Sequence, residues 1–461
     1  MNRALPVCAV LLALPLAGRA AEPTETVIRM TVQPVRAPRP ALKYQLLPEL
    51  REMNPGNPIQ GYSKCFAEQH NFWRNKEVVE KREQWQTMPL HDLPRKEISA
   101  IYNRRSPLRY ADYAARLDTP DWQILLQMKS EGPTLLLPDI QGLRELAGAL
   151  KVRFRVEVAE RRFDDALATA RTMLALSRHL GEHPTLIGEL VGIAVAFVAI
   201  GPIDEMIQQP GSPNLFWALT DLPAPFIDLR KGVQGERVMV LDVLAPIDER
   251  ATMSDAQVRE AVARIQQMWK TLNVNKDVAD WLNKLAADEN RVRDARKRLI
   301  DAGLAENQIR HFSSPQVILL DEKLEFEVRR DEVMKVLALP FWQAEPVLRA
   351  ERRPRKEQED TLFAGIIGGS GGRVKMAQAR LDQRIGLLRC VEALRIYAAE
   401  HEGKLPALLD DIQLPLPVDP FTGKPFAYQL DGATAIMRGT PPPSEEKNPV
   451  YNVRYEVTIG K

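Results

Sequence analysis

Apolar residues recur at three- and four-residue spacing through much of this chain, the pattern a helix uses to bury one face. The clearest stretch is Leu143, Leu146, Ala147, Leu150, Phe154 and Val158. A polar break follows at Glu160-Arg161-Arg162. The pattern resumes through Phe163, Ala166, Leu167, Ala170, Met173, Leu174 and Leu180. Asp164 and Asp165 fall in the first turn of that second helix, where carboxylates favour the positive end of the dipole. So short a break predicts an antiparallel helical hairpin. A third helix is predicted from Thr185 to Gln208. It is apolar nearly all round between Leu190 and Ile203, a run short enough to fit a buried core helix better than a membrane span.

Punctuation divides the rest. Pro210 to Pro225 is a proline-rich connection, and Ser254-Asp255-Ala256-Gln257 reads as a capping box. Val258, Val262, Ile265, Trp269 and Leu272 then mark a buried helical face. Val278, Trp281, Leu282 and Leu285 begin another helix, predicted to end near Gly303. Ser314-Pro315 starts a further one that stops before Pro340. The last helix follows Leu381, Ile385, Leu388, Val391, Leu394 and Ala398, and Gly403 and Pro406 end it. Phe426 to Leu430, the turn dipeptide Asp431-Gly432 and Ala433 to Met437 predict a hairpin, and Tyr451 to Ile459 alternates as a third strand.

Two regions are less periodic. Glu22 to Ala41, with four prolines, reads as an extended lead-in. Leu42 to Asp139, with Trp73, Trp85 and Trp122, reads as short helices and loops wrapping the core. Leu348 to Asp360 is a charged, solvated run, and Gly365 to Gly372 a glycine-rich hinge. The expected fold is mainly α, with helical hairpins or a bundle followed by a small C-terminal α+β unit. The expected divisions are a leader at 1–20, the lead-in at 21–41, a helical domain at 42–347, a linker at 348–375 and the final unit at 376–461.

The leader reading rests on Arg3, the apolar stretch Ala4 to Leu16 and the small residues Gly18 and Ala20 flanking Arg19. It implies export to a periplasmic or extracellular setting. The chain carries 63 basic and 61 acidic residues, and without Arg3 and Arg19 the two balance at 61 each. That neutrality gives no electrostatic footprint for nucleic acid or an anionic membrane surface. No membrane span is expected in the mature chain. Cleavage would remove Cys8 and leave Cys65 and Cys390, which could form a single bridge and read rather as two buried free thiols.

Two short motifs carry possible chemistry. His179-Leu180-Gly181-Glu182-His183 matches H-x-x-E-H, in which two imidazoles four apart hold zinc and the glutamate polarises a bound water. Gly181 weakens a helix interior, and Pro184 biases His183 out of the helical region, so the local sequence reads as a helix end. Glu236 is among the downstream acids that could supply a third ligand. Gly368-Gly369-Ser370-Gly371-Gly372 matches G-x-S-x-G, but no run of strands precedes it, and His401 is the single histidine downstream. The same glycines lack the Gly-Lys-Ser/Thr ending of a phosphate-binding loop.

Several stretches together resemble a family of uncharacterised exported proteins typical of Planctomycetes. They are Leu42 to Pro48, Asn54 to Asn57, Pro213 to Leu219 and Pro417 to Phe426. That resemblance implies export and one shared architecture, and no site residues. The layout from Ile385 to Gly432 is similar to the globular end of type II secretion pseudopilins, with a helix ending near Tyr397, the Leu405-Pro406 pair, a Pro-x-Asp-Pro turn and a small β-meander. The chain lacks their prepilin cleavage site, so only local fold is implied. Glu160 to Leu180 resembles the second half of a tetratricopeptide unit, without a 34-residue period along the chain.

No catalytic, cofactor-binding or metal-ligating set follows from these residues, and no cofactor is expected. The expected function is that of a non-catalytic exported scaffold or binding protein of the cell envelope, with a protein or envelope partner. The alternative is a zinc hydrolase built on His179, Glu182 and His183.

Overall fold

The computed structural model describes residues 24–460 except 68–69, 104, 353–360, 364–369 and 444. The predicted leader with Cys8 lies outside the described residues, as do most of the charged run and of the glycine-rich stretch.

The protein is mainly helical, with a small mixed sheet formed largely by its C-terminus. Strand β1 (Thr26–Val32) is followed by short helices α1 (Pro58–Ala67), α2 (His70–Arg74), α3 (Lys76–Trp85), α4 (Arg95–Ile101), α5 (Leu108–Ala114) and α6 (Leu125–Glu131). Three long helices come next: α7 (Pro138–Ala159), α8 (Phe163–Gly181) and α9 (Leu186–Ile207). These are the predicted hairpin and the predicted apolar helix, and Thr185 caps α9 by accepting from the Gly188 amide. By length and composition α9 could cross a membrane, and it packs against α7, α8 and two later helices.

Helices α10 (Phe216–Thr220), α11 (Arg230–Met239) and α12 (Leu241–Leu244) lead to α13 (Asp255–Thr271), which starts at the predicted Ser254/Gln257 capping box. The single helix predicted from Val278 is instead two, α14 (Val278–Ala287) and α15 (Glu289–Asp301). Asp288 makes the division. Its extended backbone ends α14, and its carboxylate accepts from the Asn290 and Arg291 amides to cap α15. Helices α16 (Glu306–Ile309), α17 (Ser314–Leu337), α18 (Phe341–Arg352) and α19 (Ser370–Glu400) follow among the described residues. The charged run thus begins inside α18, and Ser370 opens α19.

Strands β2 (Ala427–Asp431), β3 (Thr434–Arg438) and β4 (Val453–Ile459) follow, and the sheet order is β1-β4-β3-β2. In the β2–β3 hairpin the closing pair is Asp431 with Thr434, so Gly432 and Ala433 form the turn, one residue later than predicted. Gly432 has φ +56°, which glycine adopts without a Cβ penalty. The lead-in is not merely extended. As β1 it pairs in parallel with β4, from Thr26 opposite Val453 to Val32 opposite Ile459.

This pairing brings the first and last strands into one core, which runs from Met30 through α7, α8, α9 and α19 to Val457. A second core is built by residues 240 to 326 with Leu362 and Phe363, so it lies in sequence between segments of the first. Glu392 and Arg395, both fully buried on α19, tie the first core together. Arg395 donates to Glu392, to the Ser212 carbonyl and hydroxyl, and to the Gln33 and Pro213 carbonyls. A buried guanidinium is tolerable because a carboxylate and several oxygens take its protons.

Three polar side chains, Asn57, Asn214 and Asp419, form joints of this fold. Asn57 accepts from the Ile59 and Asp121 amides and donates to the Asp121 carbonyl. Asn214 accepts from the Phe216 amide and donates to the Glu392 carbonyl. Asp419, buried, accepts from the Phe421 and Thr440 amides and from Gln383. Cys65 and Cys390 are both buried and free.

Candidate functional site

The α7/α8 hairpin and α5 enclose a polar cleft of about 600 Å³. Helical spacing explains its walls. On α7, Arg153, Val156 and Glu157 stand at i, i+3 and i+4. On α8, Asp165, Ala168 and Thr169 do the same. Arg109, Asp112 and Arg116 project from α5 and its end, again on one face, while Tyr102 and Asn103 close the side at the end of α4. The hairpin turn supplies Arg162. Arg161 takes φ +58° there, and the Arg162 amide donates to the Glu157 carbonyl at 2.9 Å, closing α7.

The floor is a connected polar network. Arg153 donates to both oxygens of Asp112, at 2.9 and 2.6 Å, in a bidentate pair. Its Nε donates to the Thr169 hydroxyl at 3.0 Å, which in turn donates to Glu157 Oε2 at 2.7 Å. Thr172 donates to Asp112 Oδ1 at 2.8 Å. At the rim Arg162 donates to Glu160 and Asp165, and the Arg109 guanidinium lies 4.5 Å from the Tyr110 ring centre.

Glu157 is 7% exposed. Burial is the largest influence on its carboxyl and pushes it up to about 7, against the opposing pull of Arg153, Thr169 and Arg162. A carboxyl on a cleft wall that exchanges its proton near neutral pH is the kind of group that binding and catalytic sites use. The lining carries four guanidinium groups and three carboxyls.

A smaller cleft of about 310 Å³ lies alongside, lined by Lys43, Arg51, Glu52, Asp164 and Arg171 among others. Ala168 lines both. Glu52 stands between them, accepting from Arg171 at 2.9 Å with Arg116 Nε at 4.0 Å.

The H-x-x-E-H residues are not brought together. His179 lies near the C-terminus of α8, where its Nδ1 meets the Tyr62 hydroxyl at 2.9 Å and the Leu117 backbone bonds to the ring. His183 lies beyond the helix, with Nδ1 2.8 Å from the Thr185 hydroxyl and its ring edge-on to Trp122. Glu182 faces Lys231 at the surface. Burial brings both imidazoles down to about 4, so they are neutral at physiological pH. Glu236 accepts from the Leu186 amide. Among the described residues, no group of three or more His, Cys, Asp or Glu side chains is placed to hold a metal ion.

Of the elements that build the cleft, the sequence predicts α7 and α8 individually, and it assigns none of the lining residues to a site. Its one visible signal was polar residues at buried-face spacing, Arg153 and Glu157 inside α7 and Thr169 inside α8. Residues of α5 could not be assigned to the same site, because only packing joins Asp112 to Arg153.

No protein-family model, curated protein or solved structure matches this chain.

Proposed function

We propose that this chain is an exported, non-catalytic binding protein of the cell envelope, and that it holds a small polar constituent in the cleft between α5 and the α7/α8 hairpin. The observation that carries the reading is the cleft itself. A volume of about 600 Å³ falls in the range of small-molecule sites, and its wall combines guanidinium groups with a buried, proton-exchanging Glu157. Export rests on the N-terminal leader. A zinc hydrolase is less well supported, since Tyr62 and the Leu117 backbone already engage the His179 ring and Glu182 points to Lys231.

The test is a thermal-shift screen of the mature chain against envelope sugars, peptides and metabolites. Ala168→Trp, which fills the wall shared by both clefts, serves as the blocked control. At least one compound is expected to raise Tm in the native chain and not in the blocked variant. No shift from any compound, or equal shifts in both proteins, overturns the cleft as the binding place. A turnover reaction lost on a single side-chain change overturns the non-catalytic reading.

A further inference from the structure

The hydrogen bonds already made inside the cleft narrow the ligand. Each of its four guanidinium groups has an acceptor. Arg153 donates to both oxygens of Asp112, Arg162 to Glu160 and Asp165, Arg116 to the Asp112 carbonyl, and Arg109 to the Arg105 carbonyl and the Tyr110 hydroxyl. In the smaller cleft Arg171 donates to Glu52 and Arg51 to Glu49, while Lys43 and Asp164 add one charge of each sign. A ligand with a full charge gains least where the opposite charges are already bonded, because drawing one away leaves its partner uncompensated.

These groups keep spare hydrogen-bonding capacity. A guanidinium has five N–H donors and a carboxylate about four acceptor sites, more than the bonds above use at Arg153, Arg162 or Asp165. Glu157 takes the Thr169 hydroxyl on Oε2, and its Oε1 accepts no hydrogen bond among the described residues. Donors and acceptors polarised by ion pairs thus share one wall. A hydroxyl group both donates and accepts, and its hydrogen rotates to suit, so it bonds to either kind of group and brings no charge that needs a counterion. The wall also continues. Ala168 lines both clefts, with Asp165 and Thr169 of α8 on the larger side and Asp164 and Arg171 of the same helix on the smaller.

We infer that the ligand is an uncharged oligosaccharide, one sugar ring lying in the larger cleft against Glu157 and Asp165 and the next reaching across Ala168 into the smaller cleft. Hydroxyl-rich rings supply the paired donors and acceptors that the wall matches, and their linkage follows the stretch of α8 that the clefts share. The inference rests on the binding reading above and adds its chemical class.

A glycan microarray carrying uncharged, acidic and amino oligosaccharides, probed with the full mature chain, tests it. Isothermal titration calorimetry then measures the strongest binder as the free oligosaccharide and as its single-ring unit. At least one uncharged oligosaccharide is expected to bind at a single site and more tightly than its single ring. Its Kd is expected to hold within about twofold between about 50 and 500 mM NaCl, since no ion pair with the ligand is there to be screened. Binding is expected to vanish in Ala168→Trp and to weaken about tenfold in Glu157→Leu, as befits a lost hydrogen bond to a polarised group. Asp165→Ala, at an exposed position, is expected to weaken it less and keeps the test valid should Glu157→Leu fail to fold. Four results overturn the saccharide inference: no bound glycan, binding of charged glycans alone, a Kd that climbs steeply with salt, or binding indifferent to both carboxyl changes. If a compound other than a sugar from the thermal-shift screen still binds and is blocked by Ala168→Trp, the cleft reading survives without it.

Discussion

Replacing Glu157 by glutamine tests how the candidate cleft stores a proton. The carboxyl moves from its ordinary 4.5 to about 7 in the folded chain, mainly through burial. A group whose acid pKa is raised on folding binds more protons in the native state than in the unfolded state. Its contribution is full below pH 4.5 and is lost as pH rises through 7. At about 1.4 kcal/mol for each pH unit of displacement, the whole effect is about 3 kcal/mol, and about 2.5 kcal/mol of it disappears between pH 5 and pH 8. Glutamine keeps an oxygen to accept from Thr169 and does not titrate. Urea unfolding of the native chain and Glu157→Gln at pH 5, 6, 7 and 8 measures the difference, and other titrating carboxyls cancel in the comparison. The variant is expected to gain about 2.5 kcal/mol on the native chain between pH 5 and pH 8. A stability gap that stays constant across that range refutes the account of Glu157.

Three further outcomes follow from packing. Gly235→Ala places a Cβ 1.7 Å from the Pro184 carbonyl oxygen, and backbone cannot retreat as a side chain can, so a loss of about 3 kcal/mol in urea unfolding is expected despite the better helix propensity of alanine. Asp419→Ala leaves the Phe421 and Thr440 amides and Gln383 without their acceptor. It should cost about 3 kcal/mol and speed amide exchange at Phe421 and Thr440. One equivalent of zinc is expected to leave Tm unchanged, because both the Tyr62 hydroxyl and the Leu117 backbone hold His179, and a rise lost in His183→Ala would revive the zinc reading.

The long helices were legible because their burial is one-sided or complete along a contiguous segment. Leu146, Leu150 and Phe154 report the inner face of α7 with no knowledge of what covers it. Caps were legible for the same reason, since Ser254 satisfies an amide three residues away. The division at Asp288 was missed although aspartate is a strong capping residue, because the apolar spacing continues across it. Strand β1 was missed because the prolines flanking it, Pro23 and Pro34, were read ahead of its β-branched run, Thr26, Val27, Ile28, Thr31 and Val32.

The sequence by itself determined where helices form, which of their faces are apolar and that a hairpin of strands closes the chain. These are local matters of period, cap and turn. Only the tertiary structure decided that Thr26 to Val32 pairs with Val453 to Ile459, that Arg153 meets Asp112 across two helices, and that His179 and His183 face different neighbours. Such choices depend on which buried polar groups can find partners once apolar faces have packed, and that matching joins residues far apart along the chain.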